Sequence, residues 1–311
     1  MVSYVLRRLV ASCLTIFVAT LVLYTLVDLM PGDPAQIMLG VDAADPIKLQ
    51  AARHQLGLDK PFLARYCDWF LNALTGNLGN SLQSGQPVAG IVMERFLFTL
   101  EFTLYCLAIA LCISLPAAFL SIRFNESHVC RMITRIMSSI GLATPEFVWG
   151  LVLLSLGWAS LGKIPSLFHS PVENLTKLFA PAICVGIVVG TAVFKMARSS
   201  MLQIMEAPYI STARAKGLAE NVVIERHVFR NGMIPTITFI GIEFGYLLSG
   251  VVVTETLFAL PGMGRLLLQS VSQRDYPVVL AVASLVTVLF TVANLMVDVL
   301  CGILDPRIRY T

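Results

Sequence analysis

Charge is scarce in this 311-residue chain: Asp, Glu, Lys and Arg make up 13% of it, against 57% hydrophobic residues. Ordinary soluble domains carry roughly 25% charged residues, so the composition excludes that class. Histidine is thin as well. His54, His128, His169 and His227 fall in four separate segments, with no HxH or HxxxH pair to set two imidazoles on one ion. No metal site is readable from that pattern. The seven cysteines include no CxxC pair, and only Cys67 falls on the side expected to be external, which argues against a disulfide framework. GxSxG, HExxH and GxxxxGK[ST] are missing, so the chain has no nucleophile elbow, no zinc-protease helix and no phosphate loop. It reads as a non-enzyme that binds no cofactor of its own. The net charge of +3 follows from membrane topology and points to lipid rather than nucleic acid as its surroundings.

What the chain has in abundance is long apolar runs. A helix needs about 20 mostly apolar residues to cross the ~30 Å hydrocarbon layer, and six stretches qualify: 9–29, 98–122, 136–161, 178–197, 235–258 and 278–303. The expected fold is an all-α polytopic membrane protein of about six transmembrane helices. The first run follows Arg7 and Arg8 and extends past Leu26, longer than the apolar core of a cleaved signal, so it is expected to remain as a span. Lys and Arg concentrate in the segments that share a side with the N-terminus, which predicts both termini inside. On that topology residues 1–29 are a cytoplasmic lead and first span, 30–97 an external loop, and 98–311 the membrane domain.

Between the fourth and fifth runs lies a polar, basic segment, Glu206–Pro235. Pro208 suits a first helical turn and Gly217 can take the left-handed conformation that ends a helix. A first helix is expected over Tyr209–Lys216. Val223, Ile224 and Val228 recur at helical spacing, with Arg226 and Arg230 four residues apart on another face, so a second helix is expected over Glu220–Asn231. Asn231, Gly232 and Pro235 are expected to stop it. Basic loops are also ordinary topology signals, and pattern does not choose between that and a docking surface. Five acids sit within the apolar runs: Glu101, Glu146, Glu243, Glu255 and Asp298. Each would cost about 2.5–3.5 kcal/mol at the centre of a lipid-facing helix, so they are expected to face protein or water. Glu101, Glu146 and Glu243 are the candidates for a translocation path, whereas Glu255 and Asp298, near span ends, are expected to bind neighbouring helices. The glycine-rich Pro261–Gly264 is expected to be a turn.

TARAKGL at Thr212–Leu218, followed by RHVFRNGMIP at Arg226–Pro235, resembles the cytoplasmic coupling loop of ATP-binding cassette importer permeases of the dipeptide, oligopeptide and nickel type. The likeness extends along nearly the whole chain: LMPGDPA at Leu29–Ala35, GNLGNS at Gly76–Ser81, ETLFALPGMGRLL at Glu255–Leu267, RDYPVV at Arg274–Val279 and LDPRIRY at Leu304–Tyr310. It implies a permease subunit forming half of a translocation path for peptides, or in the alternative for nickel or a metal–metallophore complex. It also implies a second, homologous permease, two ATPase subunits that carry ATP and Mg²⁺, and an extracytoplasmic binding protein, all at the inner membrane. The coupling residues it marks are Tyr209, Thr212, Ala213, Arg214, Ala215, Lys216, Gly217, Leu218, Arg226, Arg230 and Asn231. Two departures stand out. Ser211, Thr212 and Ala213 replace the Glu-Ala-Ala common in the broader superfamily, and Glu146 in TPEF follows a proline where relatives more often lack an acid. A proton-coupled secondary transporter is the competing class, since the intramembrane acids could serve it without any ATPase.

Overall fold

The computed structural model describes residues 2–124, 128–156 and 171–304. Positions 157–161 of the third apolar run, Lys163, His169 and the segment 305–311 with Arg307 and Arg309 lie outside them. All regular elements among the described residues are helical: α1 (Val2–Asp28), α2 (Pro34–Leu39), α3 (Pro46–Gln55), α4 (Phe62–Leu74), α5 (Val88–Arg123), α6 (His128–Ala143), α7 (Glu146–Ser155), α8 (Pro171–Met205), α9 (Pro208–Ala215), α10 (Glu220–Val223), α11 (Arg230–Leu248), α12 (Val252–Leu257), α13 (Met263–Gln273) and α14 (Tyr276–Leu304).

The core is the α5–α8 pair, joined by the end of α11 and the turn after α12. Phe98, Phe102, Cys106 and Ala110 pack on Leu178, Ala182, Val185, Val189 and Val193, closed by Leu247, Val251 and Leu260. The two long helices touch at backbone range: a Cβ on Gly190 would stand 3.2 Å from the Ala110 carbonyl. Small residues permit this approach where no hydrophobic gain drives helices together in lipid.

Four helices are long and apolar enough to span a membrane, or five if a bent pair counts as one. Two of the six expected runs are not single continuous helices. The third run is α6 and α7, bent by 93°, because Pro145 lacks an amide proton and holds an extended ψ of 148° between them. The fifth run, expected over 235–258, is a helix only to Leu248. The chain turns at Gly250, whose φ of +97° suits a residue without Cβ, and begins the short α12. Elsewhere the first, second, fourth and sixth runs fall within α1, α5, α8 and α14.

Arg8 of α1 meets Asp298 of α14 at 2.9 Å, which puts the start of the first span and the end of the last at one end of the bundle. Thr238 of α11 touches Cys301 at 3.0 Å, so the start of α11 and the segment preceding it share that end. The expected external loop is at the other end, but much of it is helix: α2, α3, α4 and the start of α5 all fall within it. Residues 88–97 are the first turns of α5. Helix α4 runs antiparallel beside α1: Tyr24 stacks on Phe62, and Phe17, about 16 Å further along the helix axis than Asp28, packs on Tyr66 and Phe70. The Tyr66 hydroxyl reaches Thr20 at 3.1 Å.

The rest of the segment expected outside is tied down by RDYP. Asp275, nearly fully buried, accepts hydrogen bonds from the Ser81 hydroxyl and the Leu82 amide, and Tyr276 donates to the carbonyls of Pro31 and Gly32 at 3.4 Å. Arg274, in the left-handed conformation, makes the corner between α13 and α14 that presents both side chains. Hydrogen bonds to a charged acceptor contribute about 1.5–3 kcal/mol, so Asp275→Ala is expected to speed limited proteolysis of the 76–87 segment roughly tenfold or more. Unchanged cleavage there would count against the latch.

Candidate functional site

The segment between α8 and α11 is short, polar on one side and anchored on the other. Pro208 opens α9, where its missing amide proton costs nothing. Ile210 and Ala213 turn inward and pack with Ala118 and Ile122 of α5, Ala197 and Met201 of α8, and Val223, Ile224 and Val228. Gly217 follows at φ +79°, its amide bonding the Arg214 carbonyl at 2.9 Å. The α9 axis is thus fixed to the base of the two core helices, while Tyr209, Thr212, Arg214, Ala215, Lys216, Gly217 and Leu218 are exposed.

Two expectations for this segment are corrected. Ala213, expected to touch a partner, is 8% exposed and is part of the seat; its methyl fits where a larger group would lift α9. Arg214 is exposed and holds Glu220, Nη2 to Oε1 at 2.6 Å and Nε to Oε2 at 3.0 Å. The second helix does not stop at Asn231. A π-helical stretch, Ile224–Phe229, joins α10 to α11 with no break. Pro235 falls in the second turn of α11, Gly232 lies against Met201 at a distance that leaves no room for a Cβ, and Phe229 stacks edge-on on Phe119 at 5.6 Å. The wider π turn keeps Val223, Ile224 and Val228 inward while Arg226 and Arg230 face out.

Asn231 donates to the Tyr209 hydroxyl at 3.3 Å and to the His227 carbonyl at 2.9 Å, tying α11 back to α9. The bidentate hydrogen bond from Arg214 holds the Glu220 carboxyl below the usual carboxylate range, and the same bond raises Arg214. A depressed carboxyl contributes above its unfolded value and loses that contribution as pH falls through its lowered one. The bridge's contribution is therefore present at neutral pH and is lost in acid. Glu220 and Ile210 were not singled out from sequence: six residues across a glycine turn is not a helical pair spacing, and one isoleucine in a polar segment carries no period.

Of the membrane acids, Glu146 opens α7 and Glu243 lies on α11. Glu101 instead accepts the Tyr105 hydroxyl of its own helix at 3.0 Å. Glu255 is fully buried. It accepts the Thr99 hydroxyl at 3.3 Å and the Arg265 amide at 2.9 Å, while Thr99 in turn accepts the Met263 amide at 2.9 Å. The carboxylate thereby satisfies an amide in the first turn of α13; of Pro261–Gly264, expected to be a turn, Met263 and Gly264 instead begin that helix, and Gly262 sits against the carboxyl group so closely that a Cβ would overlap it. Glu255 and Asp298 both bind neighbouring elements, as their places near span ends suggested. Among the described residues no three His, Cys, Asp or Glu side chains gather as a metal cluster.

These features define a helical integral membrane protein with a basic helix–turn seated at one end of its bundle. The chain belongs to the family of binding-protein-dependent transport system inner membrane components: that family's model matches residues 102–310, and the model for the N-terminal part of such membrane components matches residues 1–103. It is 34% identical over 310 residues, the full length of both chains, to the glutathione transport system permease protein GsiC of Escherichia coli (strain K12), and equally to that of Shigella dysenteriae serotype 1 (strain Sd197). Its fold is similar to a crystal structure of an amino acid ABC transporter with histidines, at a TM-score of 0.53 and 16% identity, over 70% of this chain and 94% of that one. The protein is an ABC importer permease subunit, not itself an enzyme, and an inner-membrane component. The proton-coupled carrier has no support in these relationships.

Proposed function

We propose that this chain forms half of the translocation path of an importer for peptides of the glutathione size class, and that the α9–Gly217–α10 segment transmits nucleotide-driven movement from an ATPase subunit to the core helices. The observation that carries this reading is the two-sided build of α9: a buried face of Ile210 and Ala213 on the bases of α5 and α8, and an exposed face of Tyr209, Thr212, Arg214 and Lys216. A push on the exposed face passes to α5 and α8 because packed interiors move as units rather than deform. The glutathione permeases among the relatives support a peptide cargo over nickel. Leu218, Arg226 and Arg230 extend the exposed surface, and Asn231 braces it. The segment faces the cytoplasm with both termini, two ATPase subunits hold the ATP and Mg²⁺, a second homologous permease completes the path, and a binding protein docks at the opposite end. Glu146 and Glu243 would meet the cargo; Glu101, bonded to Tyr105 of its own helix, has the weaker claim of the three.

The test is purification in mild detergent of the tagged chain co-expressed with its neighbouring genes. Copurified ATPase and permease subunits, with ATP hydrolysis raised by glutathione plus the binding protein, are expected. Stimulation by nickel complexes instead would transfer the cargo, and a chain indifferent to nucleotide would sink the coupling role.

A further inference from the structure

At the end of the bundle away from α9, the walls of α1, α4 and the start of α14 enclose a cavity of about 510 Å³, within the size range of small-molecule sites. It carries charge of both signs. Arg65 lines it and binds Asp28 through its two terminal nitrogens, at 2.8 and 3.0 Å. Each terminal nitrogen of a guanidinium carries a second N–H, which leaves donors for a further acceptor. The Lys60–Asp68 pair across the same cavity is 2.5 Å apart but more than half exposed on both sides. Such a pair is worth little and opens readily, so each member can exchange its partner for a ligand group of opposite charge. Tyr24 and Trp69, 5.7 Å apart, add an aromatic wall that suits an apolar body or an ammonium group.

We propose that this cavity binds a zwitterion, with its anionic group on the Arg65 guanidinium and Lys60, its ammonium on Asp68, and its uncharged part against Tyr24 and Trp69. That chemistry has two sources. A phospholipid with an ethanolamine headgroup is one: α4 lies beside the outer half of α1 and leaves Leu63, Leu71 and Leu74 exposed, an apolar face that brings headgroups to the cavity mouth. A free short peptide is the other, since its two ends carry the same charges. The site stands apart from the coupling segment and does not depend on the role proposed for it.

The experiment uses the full chain in phosphatidylglycerol nanodiscs, without ATPase partners, titrated with glutathione or with short-chain phosphatidylethanolamine. Tryptophan fluorescence is the readout. With three tryptophans in the chain, Trp69→Phe identifies the reporting residue. A saturable change lost in Trp69→Phe is expected, with the affinity lowered roughly ten- to hundredfold by Arg65→Gln, as loss of a charge-assisted contact requires. Because Arg65→Gln also removes the Asp28 bridge, Asn72→Phe, which fills the cavity from α4 and leaves that bridge intact, is the second variant and is expected to abolish binding. A response to phosphatidylethanolamine only identifies a headgroup site, and one to glutathione a peptide site. No saturable change with either probe, or wild-type affinity in both variants, overturns the proposal.

Discussion

Arg214→Glu is expected to abolish ATP-dependent uptake while the protein inserts and purifies normally. The fold tolerates the change because the Arg214–Glu220 bridge is exposed, and exposed pairs contribute at most about 1 kcal/mol. The loop does not. Two carboxylates six residues apart around Gly217 would repel, opening the tight turn that the bidentate contact closes and moving the exposed face of α9 relative to its partner. Loss of charge-assisted contacts of about 1.5–3 kcal/mol at that face corresponds to roughly a ten- to hundredfold fall in coupled rate. Transport in proteoliposomes, with the chain's abundance read in parallel, measures it. The swap Arg214→Glu with Glu220→Arg rebuilds the bridge and is expected to recover most of the uptake. A swap that stays inactive while the turn is intact would mean that the cation is needed at position 214 by the partner itself. Gly217→Pro is expected to match the single reversal, since proline cannot reach φ +79° and removes the amide that bonds Arg214. Normal uptake by Arg214→Glu or Gly217→Pro would sink the coupling role.

The second large effect is expected at Glu255. Glu255→Ala leaves the Arg265 amide and the Thr99 hydroxyl without their acceptor in a fully buried site, at about 1–3 kcal/mol for each unmet group. A total of about 2–5 kcal/mol should appear as a lower midpoint for thermal unfolding in detergent and a poor yield of monodisperse protein. Gly262→Ala is expected to do similar damage from the opposite direction, because its methyl would occupy the carboxylate's place. Glu255→Gln keeps one oxygen and should fall between. Ala259, held at φ +53° with the Arg265 guanidinium on its carbonyl, indicates that the turn stores strain, which the carboxylate cap offsets. If Glu255→Ala unfolds like the native chain, the carboxylate is not what holds the α12–α13 turn.

Much of this was legible from residues. The long apolar runs marked α1, α5, α8 and α14, since a stretch of that length has one stable solution in lipid. Pro208 and Gly217 bounded α9 to within a residue. The end of the second helix was not legible. Asn231, Gly232 and Pro235 read locally as breakers, yet Gly232 is small because Met201 packs there, and the π turn before it carries the helix onward. Likewise Ala213 reads from its motif as a contact residue, and only its packing on α5 and α8 reveals an anchor.

Composition and order by themselves determined a helical membrane protein and the position of a basic segment between two spans, because hydrocarbon forces backbone bonding within each run. Pairings across long separations were left to the tertiary structure: Asp275 with Ser81, Glu255 with Thr99, Arg214 with Glu220, α4 beside α1. A carboxylate in an apolar run must find donors, but which donors depends on how the helices pack, and that is settled only when the whole bundle closes.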